Sequence, residues 1–267
     1  MRETSILMVG AGRMAEAVLS GLVKDRHPSL KKITMTNRSD RERLHELEKK
    51  YGTAVSDDWT AEVSGHDVIF LAAPPGVHGS LLRELAEKVD RQLVITVAAG
   101  IDAAYMEERL PEGTPVCWIM PNTAAQIGKS ISTYTCGRYV TEENREVINL
   151  ILEAIGASEE LTEQQVHDLT AVTGSAPAFV YAFVEAMEEA AVENGVTPEQ
   201  ARELVVKMLS GSAAMLEAGY APDDLRKQVA SPGGSTAAGL EVLKERNYHE
   251  TIKAAVKATN AHARSQG

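Results

Sequence analysis

The sequence predicts an α/β fold in which a doubly wound parallel sheet fills the N-terminal half and an all-helical region follows. Three observations carry this reading. Short apolar runs alternate with helical patterns up to about residue 140, strand signals fade beyond it, and only 4% of the 267 residues are aromatic although 44% are hydrophobic. Apolar runs without polar alternation mark strands covered on both faces. A core this poor in Phe, Tyr and Trp must be packed with Ala, Val, Leu, Ile and Met on closely approaching elements, which argues against a β-sandwich.

Residues 6–9 are the first strand, ended by Gly10, and 14–23 a helix with small residues on its packing side. Residues 33–36 form a second strand ahead of the charged helix at 40–50. Residues 68–72 form a third, ahead of Pro74-Pro75 and a helix at 81–89. Residues 93–97 and 116–120 are β-branched runs bounded by Gly and Pro, and 131–135 is read as a last strand. Helices follow at 142–155, 163–172, 177–194, 198–218, 222–230 and 235–245. Several open on a polar cap or Pro and close on Gly, as at Thr197-Pro198 and Asn194-Gly195. The change of character at 155–165 divides the chain into domains of residues 1–160 and 161–267.

The net charge of −11 disfavours nucleic acid and anionic lipid as partners while allowing a local basic pocket. Cys117 and Cys136 form no C-x-x-C and no metal cluster, so the thiols are expected to be reduced, with Cys117 acting as a small buried apolar residue. No apolar run approaches the roughly 18 residues that cross a bilayer. The start MRETSILMVGAG lacks signal-peptide shape. The expectation is a cytoplasmic protein.

Gly10-Ala11-Gly12-Arg13-Met14-Ala15 fits G-x-G-x-x-A at a strand-to-helix junction. Gly10 permits the sharp turn, Gly12 a close approach to a pyrophosphate, and Ala15 tight packing of helix on strand, with the phosphates on the helix N-terminus. This is the Rossmann-type dinucleotide pattern. Where an NAD site carries an acid after the second strand, this chain reads Thr36-Asn37-Arg38-Ser39. A guanidinium pairs with a 2′-phosphate, so NADPH is favoured over NADH. In the C-terminal half, Ser231-Pro232-Gly233-Gly234-Ser235-Thr236 is a hydroxyl- and glycine-rich turn opening a helix. Read on its own, it fits a helix-capping loop as well as a cradle for a carboxylate.

The stretch from Pro222 to Lys244 closely resembles the signature of the pyrroline-5-carboxylate reductase family, and Glu163 to Phe179 resembles that family's D-x-x-T-A-x-x-G-S-x-P-A segment. Ala98-Ala99-Gly100 and Met120-Pro121-Asn122 resemble its loops near the nicotinamide, so the likeness spans nearly the whole chain. The resemblance implies reduction of 1-pyrroline-5-carboxylate to L-proline by hydride from NADPH, the last step of proline biosynthesis, with no metal and no nucleophile. It assigns the cofactor to Gly10, Gly12, Arg13, Met14, Asn37, Arg38, Ala72, Ala73, Pro74, Ala99, Gly100, Pro121 and Asn122. It assigns the substrate carboxylate to Ser231, Gly233, Gly234, Ser235 and Thr236. Ser231 and Thr236 are the catalytic candidates, Thr236 as a proton relay to the ring nitrogen. Gly174, Ser175 and Asp168 are taken as structural. A homodimer through intertwined C-terminal helices is implied, with dimers joining into rings and the substrate site at the subunit boundary.

The chain departs from the family pattern at Pro74 and Trp118, where Lys and Arg are usual, at Ala124 for Pro, and at Gln228 for Asn. Loss of the Lys and Arg is expected to remove two donors from the cleft rim. Reduction of another small imino or 2-keto acid, or a nucleotide-binding regulatory role with little catalysis, therefore stay open. Among the histidines, His27, His45, His66, His249 and His262 are expected in solvent, His78 in the loop facing the cofactor, and His167 as a packed helix residue.

Overall fold

The first strand, β1 (Thr4–Val9), shows why the N-terminal runs are uniformly apolar. Ile6 and Met8 enter one core and Leu7 and Val9 another, so alternate side chains serve opposite faces of the same sheet. In the computed structural model, which describes residues 3–264, the chain continues through α1 (Arg13–Asp25), β2 (Leu30–Thr36), α2 (Arg41–Tyr51) and β3 (Ala54–Ser56). It then forms α3 (Trp59–Glu62), β4 (Val68–Leu71), α4 (His78–Ala86), β5 (Leu93–Thr96), α5 (Ala103–Glu107), β6 (Val116–Met120) and β7 (Ser130–Cys136). After α6 (Glu142–Ile155) and β8 (Gly156–Glu160) the structure is helical: α7 (Glu163–Thr170), a π-helical turn at Ala171–Ser175, α8 (Ala176–Glu193), α9 (Pro198–Glu217), α10 (Pro222–Val229), α11 (Ser235–Glu245) and α12 (Tyr248–Arg264).

The strand order is β3-β2-β1-β4-β5-β6-β7-β8. The first six strands are parallel, the doubly wound order in which ligands bind beyond the carboxyl ends of the strands. Ala15, Val18, Leu19 and Leu22 of α1, Leu44 and Leu47 of α2, and Ile148, Ile151 and Ile155 of α6 cover one face. Leu82 and Leu85 of α4, Met106 of α5 and Val166 of α7 cover the other.

The sheet is not wholly parallel: β7 runs antiparallel to β6, because the link from Pro121 to Lys129 is too short for a helical crossover, and β8 then pairs parallel to β7. β8 escapes the sequence pattern because its residues, Gly-Ala-Ser-Glu-Glu, are polar and mostly exposed at the sheet edge. α12 also goes beyond the sequence reading, which ends its last helix at residue 245.

The chain divides into two compact units, one of the described residues through Ser175 together with 259–264, the other Ala176–Ala258. In the first, apolar side chains are packed between sheet and helices. The second leaves Val180, Phe183, Met187, Leu204, Met215 and Val242 exposed in the single chain. The helical stretch Glu163–Glu193 contains an 18-residue window with a mean hydropathy of 1.2, long and apolar enough by length and composition alone to cross a bilayer. That window is poor in charge but is not an unbroken apolar run.

Candidate active site

Gly10 takes a left-handed φ of +117°, and a Cβ placed there would stand 2.6 Å from the Ala72 carbonyl oxygen and 3.1 Å from the Ala73 nitrogen. Only glycine lets the turn after β1 press against the residues after β4. The Gly10 N–H donates to the Thr36 carbonyl at 2.9 Å and the Ala72 N–H to Val9 at 2.9 Å, so the carboxyl ends of β1, β2 and β4 are stitched together. Gly12 begins α1 with extended backbone and no side-chain cap. Exposed Arg13 and half-buried Met14 form its first turn. An uncapped helix N-terminus beside a turn with no room for a side chain fits a bound pyrophosphate.

Asn37 and exposed Arg38 follow β2 directly. A second guanidinium, missed in the sequence, lies nearby. Arg43 donates from Nε to the Ala11 carbonyl at 3.3 Å, and its remaining nitrogens pair with Glu16 and Glu46. Burial works to raise the Glu16 pKa, but hydrogen bonds from Lys50, Arg43 and Tyr51 outweigh it and hold the carboxyl below its usual range. Arg43 is thus neutralised within the protein. Arg38 has no ion pair among the described residues.

Two buried side chains order the next loops. His78 is fully buried, which corrects its expected place in a loop facing the cofactor. Its Nδ1 donates to the Pro74 carbonyl at 3.1 Å, leaving Nε2 to accept from the Thr96 hydroxyl at 2.9 Å. Thr96 Oγ1 in turn accepts from the Ala98 N–H. Burial lowers the His78 pKa, favouring this neutral arrangement. Pro74 itself is exposed.

Trp118 is also fully buried, so it removes nothing from a cleft rim: its indole Nε1 donates to the Ala98 carbonyl at 2.9 Å, immediately before Ala99 and Gly100. The ring packs on His167, 4.6 Å between centroids, and His167 Nε2 pairs with Asp102 at 2.9 Å, so His167 is a packed residue. Pro121 and Asn122 are buried beyond β6. The Asn122 N–H donates to Ser130 Oγ at 3.0 Å, its Oδ1 accepts from the Ala124 N–H, and its Nδ2 donates to the Thr173 carbonyl at 3.0 Å.

The structure therefore assembles Gly10, Gly12, Ala72, Ala73, Ala99, Gly100, Pro121 and Asn122 beyond the carboxyl ends of the central strands. A cavity of 740 Å³ lined by Thr4, Val68, Leu93 and Pro115 lies at the opposite end, by the amino ends of the same strands. Ser231, Gly233, Gly234, Ser235 and Thr236 belong to the second unit. There Gly233 has φ +74°, the Gly234 N–H closes a turn on the Ser231 carbonyl at 2.9 Å, and Gly234 begins α11 without a side-chain cap. Ser231, Gly233, Ser235 and Thr236 are exposed and Gly234 partly so, leaving hydroxyls and first-turn N–H groups open to an anion.

His66 corrects another expectation. It is buried, with Nδ1 on the Glu62 carbonyl at 2.7 Å and Nε2 on the Thr34 hydroxyl at 2.8 Å. Among the described residues no group of three or more His, Cys, Asp or Glu side chains is placed to hold a metal.

Comparison with known proteins agrees with this layout. Residues 163–266 match the family model for pyrroline-5-carboxylate reductase dimerisation, and residues 5–100 match the one described as NADP oxidoreductase, coenzyme F420-dependent. The chain is 36% identical over 260 residues to pyrroline-5-carboxylate reductase of Corynebacterium melassecola, covering 96% of each chain. It is 35% identical over 257 residues to pyrroline-5-carboxylate reductase 1 of Bacillus subtilis, covering 96% of this chain and 86% of that one. Among solved structures, the Streptococcus pyogenes 1-pyrroline-5-carboxylate reductase superposes with a TM-score of 0.90 at 28% identity over 98% of both chains. The Plasmodium falciparum pyrroline carboxylate reductase with NADP bound gives 0.91 at 26% identity, over 100% of this chain and 99% of that one.

Proposed function

The chain belongs to the pyrroline-5-carboxylate reductase family, and we infer from this that it is an oxidoreductase that reduces the C=N bond of 1-pyrroline-5-carboxylate to give L-proline. The observation that carries the site assignment is that each unit presents an uncapped helix N-terminus behind a glycine turn, Gly12 after the tightly packed Gly10 in the first and Gly234 after Gly233 in the second. NADPH, when bound, supplies the hydride.

The protein's own groups bind and orient. The turn at Gly10 and Gly12 and the first turn of α1, with Arg13 and Met14, hold the pyrophosphate. Asn37 and Arg38 hold the 2′-phosphorylated ribose, which favours NADPH over NADH. Ala72, Ala73, Pro74, Ala99, Gly100, Pro121 and Asn122 line the remainder of the cofactor cleft. Ser231, Gly233, Gly234 and Ser235 hold the substrate carboxylate with hydroxyl and N–H donors, without a basic side chain. Thr236 stands by the ring nitrogen and passes it a proton, directly or through water. An iminium accepts hydride far better than a neutral imine, but a hydroxyl is a weak acid, so orientation is its larger contribution. The match of residues 163–266 to the family's dimerisation model supports an enzyme that associates with itself, as a dimer or a larger ring, through its helical unit.

NADPH oxidation measured with pyrroline-5-carboxylate, then with other imino and keto acids, tests the activity. Turnover on the first is expected; binding of NADPH without turnover on any of them would overturn it. Thr236→Ala tests the site: a fall in kcat or a rise in substrate KM is expected, and no change in either removes Thr236 from it.

A further inference from the structure

We propose that Cys117 and Cys136 are a redox site, closing to a reversible disulfide between β6 and β7 with hydroperoxides as the oxidant. The cysteines, distant in sequence, stand directly opposite each other in the β6–β7 register. The Gly137 N–H donates to the Val116 carbonyl at 2.8 Å, which makes the neighbouring pair the hydrogen-bonded one and Cys117 with Cys136 the non-hydrogen-bonded one. In such a pair the Cα atoms are about 4.5 Å apart and the side chains share a face, inside the range of about 4.4–6.8 Å that a disulfide spans. Both side chains enter the same core, Cys117 buried and Cys136 partly exposed.

The asymmetry sets the roles. A hydrogen bond from Cys117 holds the Cys136 thiol below its ordinary range, while burial raises that of Cys117. The Cys136 thiolate attacks the peroxide, the O–O bond breaks, and an alcohol or water leaves as Cys136 becomes a sulfenic acid. Cys117 sulfur then attacks Cys136 sulfur: the S–S bond forms, the S–O bond breaks, and the hydroxide leaves with the Cys117 proton as water. Two thiols lose two electrons and the peroxide gains them. An external dithiol reverses the step by exchange. Neither cysteine belongs to the proposed cofactor or substrate loops.

The test treats the purified full chain with hydrogen peroxide, alkylates it after denaturation, and reads intact mass and tryptic peptides. The expected product has no alkylatable thiol, regains both on treatment with dithiothreitol, and yields a peptide joining Cys117 to Cys136 across the cleaved Lys129 bond. Cys117→Ser should stop at the sulfenic acid on Cys136, trapped by dimedone, and Cys136→Ser should leave Cys117 unoxidised. Two free thiols after treatment, a sulfinic acid on Cys136 beside a free Cys117, or a disulfide between chains would each overturn the proposal.

Discussion

Arg38 and Arg43 flank the glycine turn, and their partners separate their roles. Arg43 spends its donors on Ala11, Glu16 and Glu46, while Arg38 is exposed at the end of β2. Arg38→Glu should therefore weaken NADPH binding by about tenfold or more, the scale of a charge-assisted hydrogen bond, and leave NADH nearly unchanged. Fluorescence titration of both nucleotides checks this; an equal loss for both would remove Arg38 from the 2′-phosphate site. Trp118 makes a second residue-scale case. In Trp118→Phe the Ala98 carbonyl loses its indole donor, at a cost of about 1 kcal/mol in stability. Because that carbonyl precedes Ala99 and Gly100, KM for NADPH should rise more than kcat falls. A kcat loss at constant KM would place the effect elsewhere.

At the scale of elements, the π-helical turn between α7 and α8 is held by distant side chains. Asn260 Oδ1 accepts from the buried Ala171 N–H at 3.0 Å, its Nδ2 donates to the Asp168 carbonyl at 2.6 Å, and Asn122 Nδ2 takes the Thr173 carbonyl. Asn260→Ala should strip the Ala171 N–H of this partner and destabilise the protein by about 1–3 kcal/mol, measured by urea unfolding. His78 gives a pH prediction. Burial holds its folded pKa below the ordinary histidine value of about 6.5, so the unfolded chain binds the proton first as pH falls. The His78 contribution to stability is complete above 6.5 and is lost as pH falls through the folded value. His78→Gln should flatten the fall of Tm between about pH 7 and about pH 5, and an unchanged slope would contradict it. These two elements also mark what a sequence can disclose. β1 and β4 are legible because burial on both faces leaves only apolar residues, and the Gly10 turn because close approach demands glycine. The π turn is not, because its stabilising partner lies 89 positions along the chain. The antiparallel turn into β7 and the polar edge strand β8 depend on strand pairing rather than local pattern. His66 and His78 look like loop residues until Thr34 and Thr96 are brought beside them.

For the whole molecule, the shortage of aromatic residues acts differently in the two units. In the first it permits close approach: a Cβ on Gly21 of α1 would stand 2.7 Å from the Ala154 carbonyl of α6. In the second, the apolar residues of α8 and α9 are left uncovered. Val180, Phe183 and Met187 recur at helical spacing on one face of α8, each at least 39% exposed in the single chain. An apolar stripe of that kind is stable in water when a copy covers it, and a closed dimer buries the same stripe from both chains. Light scattering at micromolar protein should accordingly return at least twice the mass of one chain. Phe183→Asp places a carboxylate at the centre of the stripe in each copy. At about 2 kcal/mol for each of the two buried aromatic anchors, about 4 kcal/mol per dimer, it should raise the dissociation constant by about a thousandfold. Helical circular dichroism should be retained, since Phe183 is exposed in the isolated chain. A native chain that scatters as a monomer, or a Phe183→Asp variant that associates as tightly as the native one, would mean that this face of α8 is not where the copies meet.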